Sequence, residues 1–307
     1  MIDISVIIPT YNRKKDIGVA IRSVISQANV SVECIIVDDL SNDGTIEYLR
    51  SEFDDPRIKV IHKEVRTGPQ ASRNIGLKIA VGEYIAFLDS DDYFEPNTLA
   101  WRLGVCKERK LDLLISNYYV RYVGSKWDLV KKVSQSSKPK PISYKEALCN
   151  FKVAPIITIL LKNEKGVSQL MLDENLLSGH DDDLILQTFK SKKCGYDDTY
   201  SATIIQHLGE RVATPRNLLI GDAQLLIKYS EDIKKYLGHS ELLRKKSMAL
   251  AGLFFVRNFN QAIKVIETNG NIKDKILCIL RALYYLPLVA MKVARQKLIF
   301  AGLDIFG

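Results

Sequence analysis

The chain has no CxxC pair, no G-x-G-x-x-G after its first apolar run, and no uninterrupted apolar stretch of membrane-spanning length. Each absence excludes something. The five cysteines (Cys34, Cys106, Cys149, Cys194, Cys278) are odd in number and scattered, so neither a disulfide frame nor a zinc site is indicated, and a reducing compartment is expected. Without a glycine-rich turn after the first strand, a dinucleotide-dependent dehydrogenase is disfavoured. So is a sugar nucleotidyltransferase, which would open on a glycine-rich basic loop. A membrane span needs about 20 mostly apolar residues. The best candidate, 276–291, is shorter and is interrupted by Arg281 and Pro287. The first residues, Met1-Ile-Asp-Ile-Ser-Val-Ile-Ile-Pro9, lack a basic start and read as a strand rather than a signal peptide. No aromatic-basic RNA motif or zinc finger is visible, so no nucleic-acid partner is expected.

What remains is ordinary globular composition over 307 residues, 47% hydrophobic and 26% charged. That is ample for a buried core in about one or two domains. The net charge of +8 is unevenly distributed. Residues 1–210 hold 28 Lys and Arg against 29 Asp and Glu, whereas residues 211–307 hold 16 against 7. All of the basic excess therefore lies in the last third, as expected of a segment that meets an anionic surface.

Apolar runs alternate with amphipathic stretches through the first 120 residues. Strands are expected at 4–8, 33–37, 58–62 and 84–88, and helices at 14–27, 43–52 and 69–80. This alternation implies βαβ units and a mainly parallel sheet covered on both faces. Further on, helices are expected at 97–110, 143–151 and 181–190, and strands at 113–123, 156–161 and 201–207. Beyond residue 210 the pattern is helical, at 218–229, 240–258 and 272–303, with a break at Pro287.

Ligands of open α/β sheets gather at the carboxyl ends of the strands. Pro9-Thr10-Tyr11-Asn12 follows the first strand, Asp38-Asp39 the second, and Asp89-Ser90-Asp91-Asp92 the fourth. If the strands are parallel, five carboxylates share one edge. That much like charge calls for a divalent cation or a positive ligand group. Trp101 and Trp127 could stack on sugars, but core packing is the default for both. His62 and His239 stand out in no way.

Four segments carry a resemblance: Val6-Ile-Ile-Pro-Thr-Tyr-Asn12, Ile36-Val-Asp-Asp-Leu-Ser-Asn-Asp-Gly-Thr45, Gly68-Pro-Gln-Ala-Ser-Arg-Asn-Ile-Gly76, and Gly82-Glu-Tyr-Ile-Ala-Phe-Leu-Asp-Ser-Asp-Asp92. A weaker fifth is Leu172-Asp-Glu-Asn-Leu-Leu-Ser-Gly-His-Asp181. In this order they resemble family 2 glycosyltransferases of the GT-A fold, as found in bacterial O-antigen and capsule synthesis. The resemblance implies a catalytic domain over 1–210, with a nucleotide-sugar half at 1–120 and an acceptor half at 121–210. A basic helical region, 211–307, would follow.

The resemblance also implies site roles. Pro9, Thr10, Tyr11 and Asn12 would line the nucleotide pocket. Asp38 would accept from the uracil imide N–H, a donor that suits a carboxylate. Gly68, Arg73, Asp89 and Ser90 would also contact the nucleotide-sugar. Asp91, with Asp89 and possible help from His207, would hold Mn2+ or Mg2+; a structural His207 is an equal alternative, and Arg211 is expected at the surface. Asp181 would be the catalytic base, with His180 where the family has Glu. Its neighbours Asp182 and Asp183 compete for that role, and the alternative for the whole acidic run is that it favours the positive helix N-terminus. The implied reaction is inverting, metal-dependent transfer of a hexose from a UDP-sugar to a saccharide, carried on a polyprenyl diphosphate. An inactive sugar-nucleotide or membrane-binding scaffold is the alternative.

Residues 272–300 combine apolar residues with Lys273, Lys275, Arg281, Lys292, Arg295 and Lys297. Such a helix can lie on an anionic membrane surface, or pack on the catalytic domain or a second subunit. The first option makes the protein cytoplasmic and peripheral on the inner face of the cell membrane. The sequence specifies no oligomeric state.

Overall fold

The computed structural model describes residues 1–123, 129–133, 143–150, 153–164, 170–207, 214–268 and 271–300. The backbone forms two compact units. The first is Met1–Tyr144 with Val153–Glu174 and Leu184–His207; the second is Lys145–Lys152, Asn175–Asp183 and Leu208–Gly307.

The first unit opens with β1 (Ile4–Thr10), α1 (Ile17–Ile25), β2 (Val32–Asp38), α2 (Thr45–Glu52), β3 (Ile58–His62), α3 (Pro69–Ile79) and β4 (Tyr84–Phe87). It continues with β5 (Tyr93–Phe94), α4 (Thr98–Arg109), β6 (Leu113–Val123) and β7 (Leu129–Val133). After α5 (Tyr144–Asn150), which belongs to the second unit from Lys145 on, come β8 (Ile159–Lys162), α6 (His180–Ser191), whose residues up to Asp183 belong to the second unit, and β9 (Cys194–His207). The sheet order is β3-β2-β1-β4-β8-β6-β9-β5, with β7 on β6.

β1 and β2 are buried along their whole length, as a strand covered on both faces must be. Ile4, Val6 and Ile8 of β1 join Cys34 and Ile36 of β2 in one core with α1, α2 and α4. Ile7 points to the other face, where Gly76 of α3 lies so close that a Cβ would meet Ile7 Cγ2 at 2.5 Å. Helices therefore cover both faces, as expected.

The sheet is mixed. β1 pairs in parallel with β2 and β4, and β2 with β3. β8, however, runs antiparallel to both β4 and β6. The expected strand at 156–161 begins instead as a single 3₁₀ turn, Ile156–Thr158. Pro155 causes this: its carbonyl accepts from both Thr158 N–H at 3.0 Å and Thr158 Oγ1 at 2.7 Å. β9 is twice as long as expected because the polar stretch around Asp197 and Asp198 masks its first half, which still pairs with β6 across register shifts at Ser116–Tyr118. β5 and β7 were not expected.

The second unit contains α7 (Pro215–Lys228), α8 (Ser230–Leu237), α9 (His239–Phe255), α10 (Phe259–Glu267) and α11 (Ile272–Phe300). α9 touches each of the other four and buries Leu242, Leu250, Ala251 and Leu253. Thr214 caps α7 by accepting from Asn217 N–H, and Asn258 caps α10 by accepting from Gln261 N–H, each at 3.2 Å. Gly238, at φ 93°, separates α8 from α9. α11 does not break at Pro287. That proline is exposed, so the carbonyl it leaves without an N–H partner can face water.

Gly82 sets the approach to β4. Its N–H donates to Ser5 Oγ at 2.8 Å, and a Cβ there would meet Ser5 N at 2.5 Å and Ile4 C at 2.8 Å. Those atoms are backbone and cannot give way. Gly82→Ala is expected to destabilise the fold by about 1–3 kcal/mol, read as a lower urea midpoint with an unchanged slope.

Candidate active site

The parallel pairing aligns the strand ends. Thr10 lies opposite Asp38, and Asp38 opposite His62. The loop after β4 emerges beside β1, because Ile7 pairs with Phe87. Pro9, Thr10, Tyr11, Asn12, Asp38, Asp39 and Asp89–Asp92 therefore share one edge of the first unit.

Asn12, at φ 51°, joins two of the loops. Its N–H donates to Ser41 Oγ at 2.8 Å, and its Oδ1 accepts from Asn42 N–H at 2.9 Å. Asp38 is fully buried. Its carboxylate accepts from Ser41 N–H at 2.9 Å and from Ser41 Oγ, and meets His62 Nδ1 at 2.8 Å. Thr10 is buried with its hydroxyl unpartnered. The Arg66 guanidinium lies 3.8 Å from the Tyr11 ring centroid, a cation–π contact.

Asp39 organises the next turn. It accepts from Thr67 N–H at 2.9 Å and Gly68 N–H at 2.8 Å, and pairs with the buried Lys63. Gly68 sits at φ 92°, a conformation side chains resist, and starts α3. One turn on, Arg73 is buried and its Nη2 donates to Asp89, while its Nε and Nη1 have no partner. Its neighbour Asn74 exchanges hydrogen bonds of 2.9 Å with the Leu172 backbone and donates to Glu174 at 2.8 Å. The Arg-Asn step thus points one residue toward the acids and anchors the 172–174 segment with the next. Asp91 pairs with Arg13 at 3.1 Å. Ser90 is buried, as is Asp92, whose carboxylate accepts from Ile205 N–H at 2.7 Å.

These contacts correct the repulsion argument. The five carboxylates are matched by the chain itself: Asp39 by Lys63, Asp89 by Arg73, Asp91 by Arg13, Asp38 by His62 and Ser41, and Asp92 by a backbone N–H. Crowding of like charge therefore does not by itself demand an ion. The donor set nevertheless fits one. Asp89 and Asp91 keep partly exposed carboxylates, 41% and 22%. Mn2+ and Mg2+ bind through one or two such groups plus phosphate oxygens and water. Among the described residues no cluster of three or more His, Cys, Asp or Glu side chains gathers around a point. The His207 side chain, Trp127 and Arg211 lie outside the described residues. His207 ends β9 as backbone, two residues beyond the Ile205 held by Asp92.

In the second unit, Asp181, Asp182 and Asp183 open α6. Asp183 is fully buried and is held by Tyr229 OH at 2.7 Å and Lys228 Nζ at 2.9 Å. It is a structural residue, which narrows the choice of base. Asp181 is partly exposed and pairs with His180 at 3.3 Å. Gly179, at φ 77°, precedes the turn, where a Cβ would meet Leu225 Cδ1 at 2.6 Å.

Several residues escaped the sequence. His62 is not idle: it lies in register with Asp38 and contacts it. His239 pairs with Asp274 at 3.2 Å. Arg13, Lys63 and Arg66 each meet a residue of the edge. Register alone could have found His62; long basic side chains carry no periodic signal. Trp101 is 58% exposed rather than core, with its indole N–H on Asp197 at 3.2 Å.

A βαβ edge that presents an Asp at the end of β2, an arginine-bearing helix after a tight glycine turn and a D-x-D after β4 is the arrangement that the resemblance to GT-A glycosyltransferases implied. The profile of glycosyl transferase family 2 matches residues 5–158. The chain belongs to that family. WfgD of Escherichia coli, a UDP-Glc:α-D-GlcNAc-diphosphoundecaprenol β-1,3-glucosyltransferase, is 32% identical over 157 residues, 51% of this chain and 59% of its own length. The chain spans only 19% to 59% of the first curated relatives it matches. Two solved structures share the fold. S. aureus TarS 1–349 in complex with UDP-GlcNAc has a TM-score of 0.66 at 20% identity, covering 96% of this chain and 90% of TarS 1–349. The mannosyltransferase PcManGT of Pyrobaculum calidifontis, in complex with GDP-Man and Mn2+, has a TM-score of 0.54 at 15% identity, covering 98% and 86%.

The pairing of the acids has consequences for stability. Burial pushes the Asp39 carboxyl up, but Lys63 and the N–H groups of Thr67 and Gly68 outweigh it and hold the group below its usual range. A depressed carboxyl stabilises the fold above its unfolded value of about 3.9, and that contribution is lost as pH falls through the lower folded value. Asp39→Asn should therefore lower stability at neutral pH and flatten the acid limb of the stability–pH curve below about pH 4. Asp183→Ala should cost about 1–3 kcal/mol by orphaning buried partners, and Asp181→Ala less than about 0.5 kcal/mol, both by urea unfolding.

Proposed function

We propose that the chain transfers a hexose, with inversion, from a UDP-sugar to a saccharide carried on a polyprenyl diphosphate, in synthesis of a surface polysaccharide such as O-antigen or capsule. The observation that carries this reading is the shared edge on which the Thr10–Asp38–His62 row, the Arg73–Asp89 pair and the Arg13–Asp91 pair converge. The activity of WfgD supports the donor and acceptor class, and the UDP-GlcNAc in the TarS complex supports the nucleotide.

Pro9, Thr10, Tyr11 and Asn12 receive the base and ribose. Asp38 takes the imide N–H. Because that carboxylate is closed to solvent, His62 or Ser41 must yield a hydrogen bond as the base arrives, and Arg66 must share or leave the Tyr11 face. Gly68 lets the backbone approach the nucleotide, and Ser90 lies between the two acids of the D-x-D. Arg73 carries two buried, unpartnered N–H groups, the donors a diphosphate oxygen requires.

Asp91, with Asp89 and His207, would hold Mn2+ or Mg2+, which supplies charge neutralisation to the departing nucleoside diphosphate. Arg13 must release Asp91 for that. Asp181 removes the proton from the acceptor hydroxyl. Its partner His180 orients the carboxylate, and the burial of Asp183 pins the start of the helix. An acceptor anchored in lipid implies a cytoplasmic enzyme working at the inner face of the cell membrane.

Asp91→Ala should abolish transfer, measured as UDP release with a diphosphate-linked saccharide and UDP-glucose. Asp181→Asn should lower kcat by about 10²–10⁴-fold while leaving UDP-sugar affinity by calorimetry unchanged. Near-normal turnover in Asp181→Asn would remove the base assignment. Full binding without turnover in the unaltered protein, across UDP-hexoses and acceptors, would favour the inactive scaffold.

A further inference from the structure

α11 has two apolar faces, and only one is used. Cys278, Ala282, Val289 and Val293 are buried on one side, where α11 packs on α9. On the other, Ile276, Leu280, Leu283, Tyr284, Leu288 and Met291 are 54%, 60%, 56%, 75%, 50% and 62% exposed. At about 100° per residue these six fall within an arc of about 140°, opposite the buried set. A continuous stripe of this kind on a water-facing helix is costly and marks a contact surface.

We infer that this stripe lies in the plane of an anionic lipid surface, its side chains among the acyl chains and its cations at the headgroups. Charge selects this occupant. Residues 272–300 carry six Lys and Arg against one acid, Asp274, and Asp274 is itself paired with His239. Lys273 and Arg281 are exposed at the start and flank of the stripe. A second copy docking face to face would bring this positive segment against itself, whereas anionic headgroups neutralise it. Spanning is a different arrangement, and among the described residues no helix is long and apolar enough to cross a membrane. An amphipathic helix with a basic border lies on the interface instead. For the proposed transferase, which this inference presupposes only for its purpose, the helix would hold the enzyme where a lipid-linked acceptor is found.

The test is co-sedimentation of the full chain with vesicles of phosphatidylcholine, with and without phosphatidylglycerol. Binding should require phosphatidylglycerol and weaken with salt. The pair Lys273→Gln and Arg281→Gln should weaken it about fivefold per charge, and the pair Leu280→Ser and Leu283→Ser by more than about tenfold. All four side chains are exposed, so thermal melts should match the unaltered protein; if the leucine pair melts early, the charge pair decides alone. No binding to phosphatidylglycerol vesicles, or equal binding to phosphatidylcholine alone, overturns the inference. So does a dimer by light scattering that the leucine pair dissociates. Transfer to a short-chain, water-soluble acceptor is measured alongside. Vesicle binding without transfer counts against the proposed reaction, and transfer without vesicle binding counts against the lipid face.

Discussion

The parallel pairing of β1 with β2 on one side and β4 on the other is the constraint from which the rest of the first unit follows. It goes with strands buried on both faces, and β1 and β2 are buried along their whole length. It also brings the ends of three strands to one edge, so residues 28 positions apart, Thr10 and Asp38, become direct neighbours. Acids collected in this way repel one another unless each is answered. Here each is answered locally, by Lys63, Arg73, Arg13, His62 and backbone N–H groups. Under the proposed function, binding would therefore be an exchange of partners rather than the filling of a charged void. Such an exchange favours specificity, because a ligand that cannot replace the lost contacts leaves buried groups unpaired.

The second unit obeys a simpler rule. α9 is the hub, and α7, α8, α10 and α11 all pack against it. Gly179 and Gly221 admit close packing where a Cβ would collide, at Gly221 with Ser178 Oγ at 2.2 Å. The buried Asp183, with Tyr229 and Lys228, ties the start of α6 to α7. Within the acidic run, Asp183 is fully buried and held by two partners, whereas Asp181 is partly exposed and pairs with His180.

Much of this was legible in the residues. Hydrophobic periodicity marked β1 to β4 and their helices, because local burial is written into local sequence. The motif segments named the family and with it the edge. The antiparallel β8 was not legible: a run as short as Ile-Leu-Leu-Lys carries no signal of strand direction, which is set by its pairing with β4 and β6. The first half of β9 was hidden by its acids. The continuity of α11 through Pro287 depends on which side of the helix meets water.

The sequence by itself determined the alternation of strands and helices, the family, the positions of the acids and the basic bias of the last third. These are local or compositional properties, and they survive without a fold. Tertiary structure alone decided which cation answers which acid, that His62 holds Asp38, that Asp183 is structural, and that α11 keeps a second apolar face exposed. Those outcomes depend on register, side-chain reach and burial between residues far apart in the chain, which no local pattern encodes.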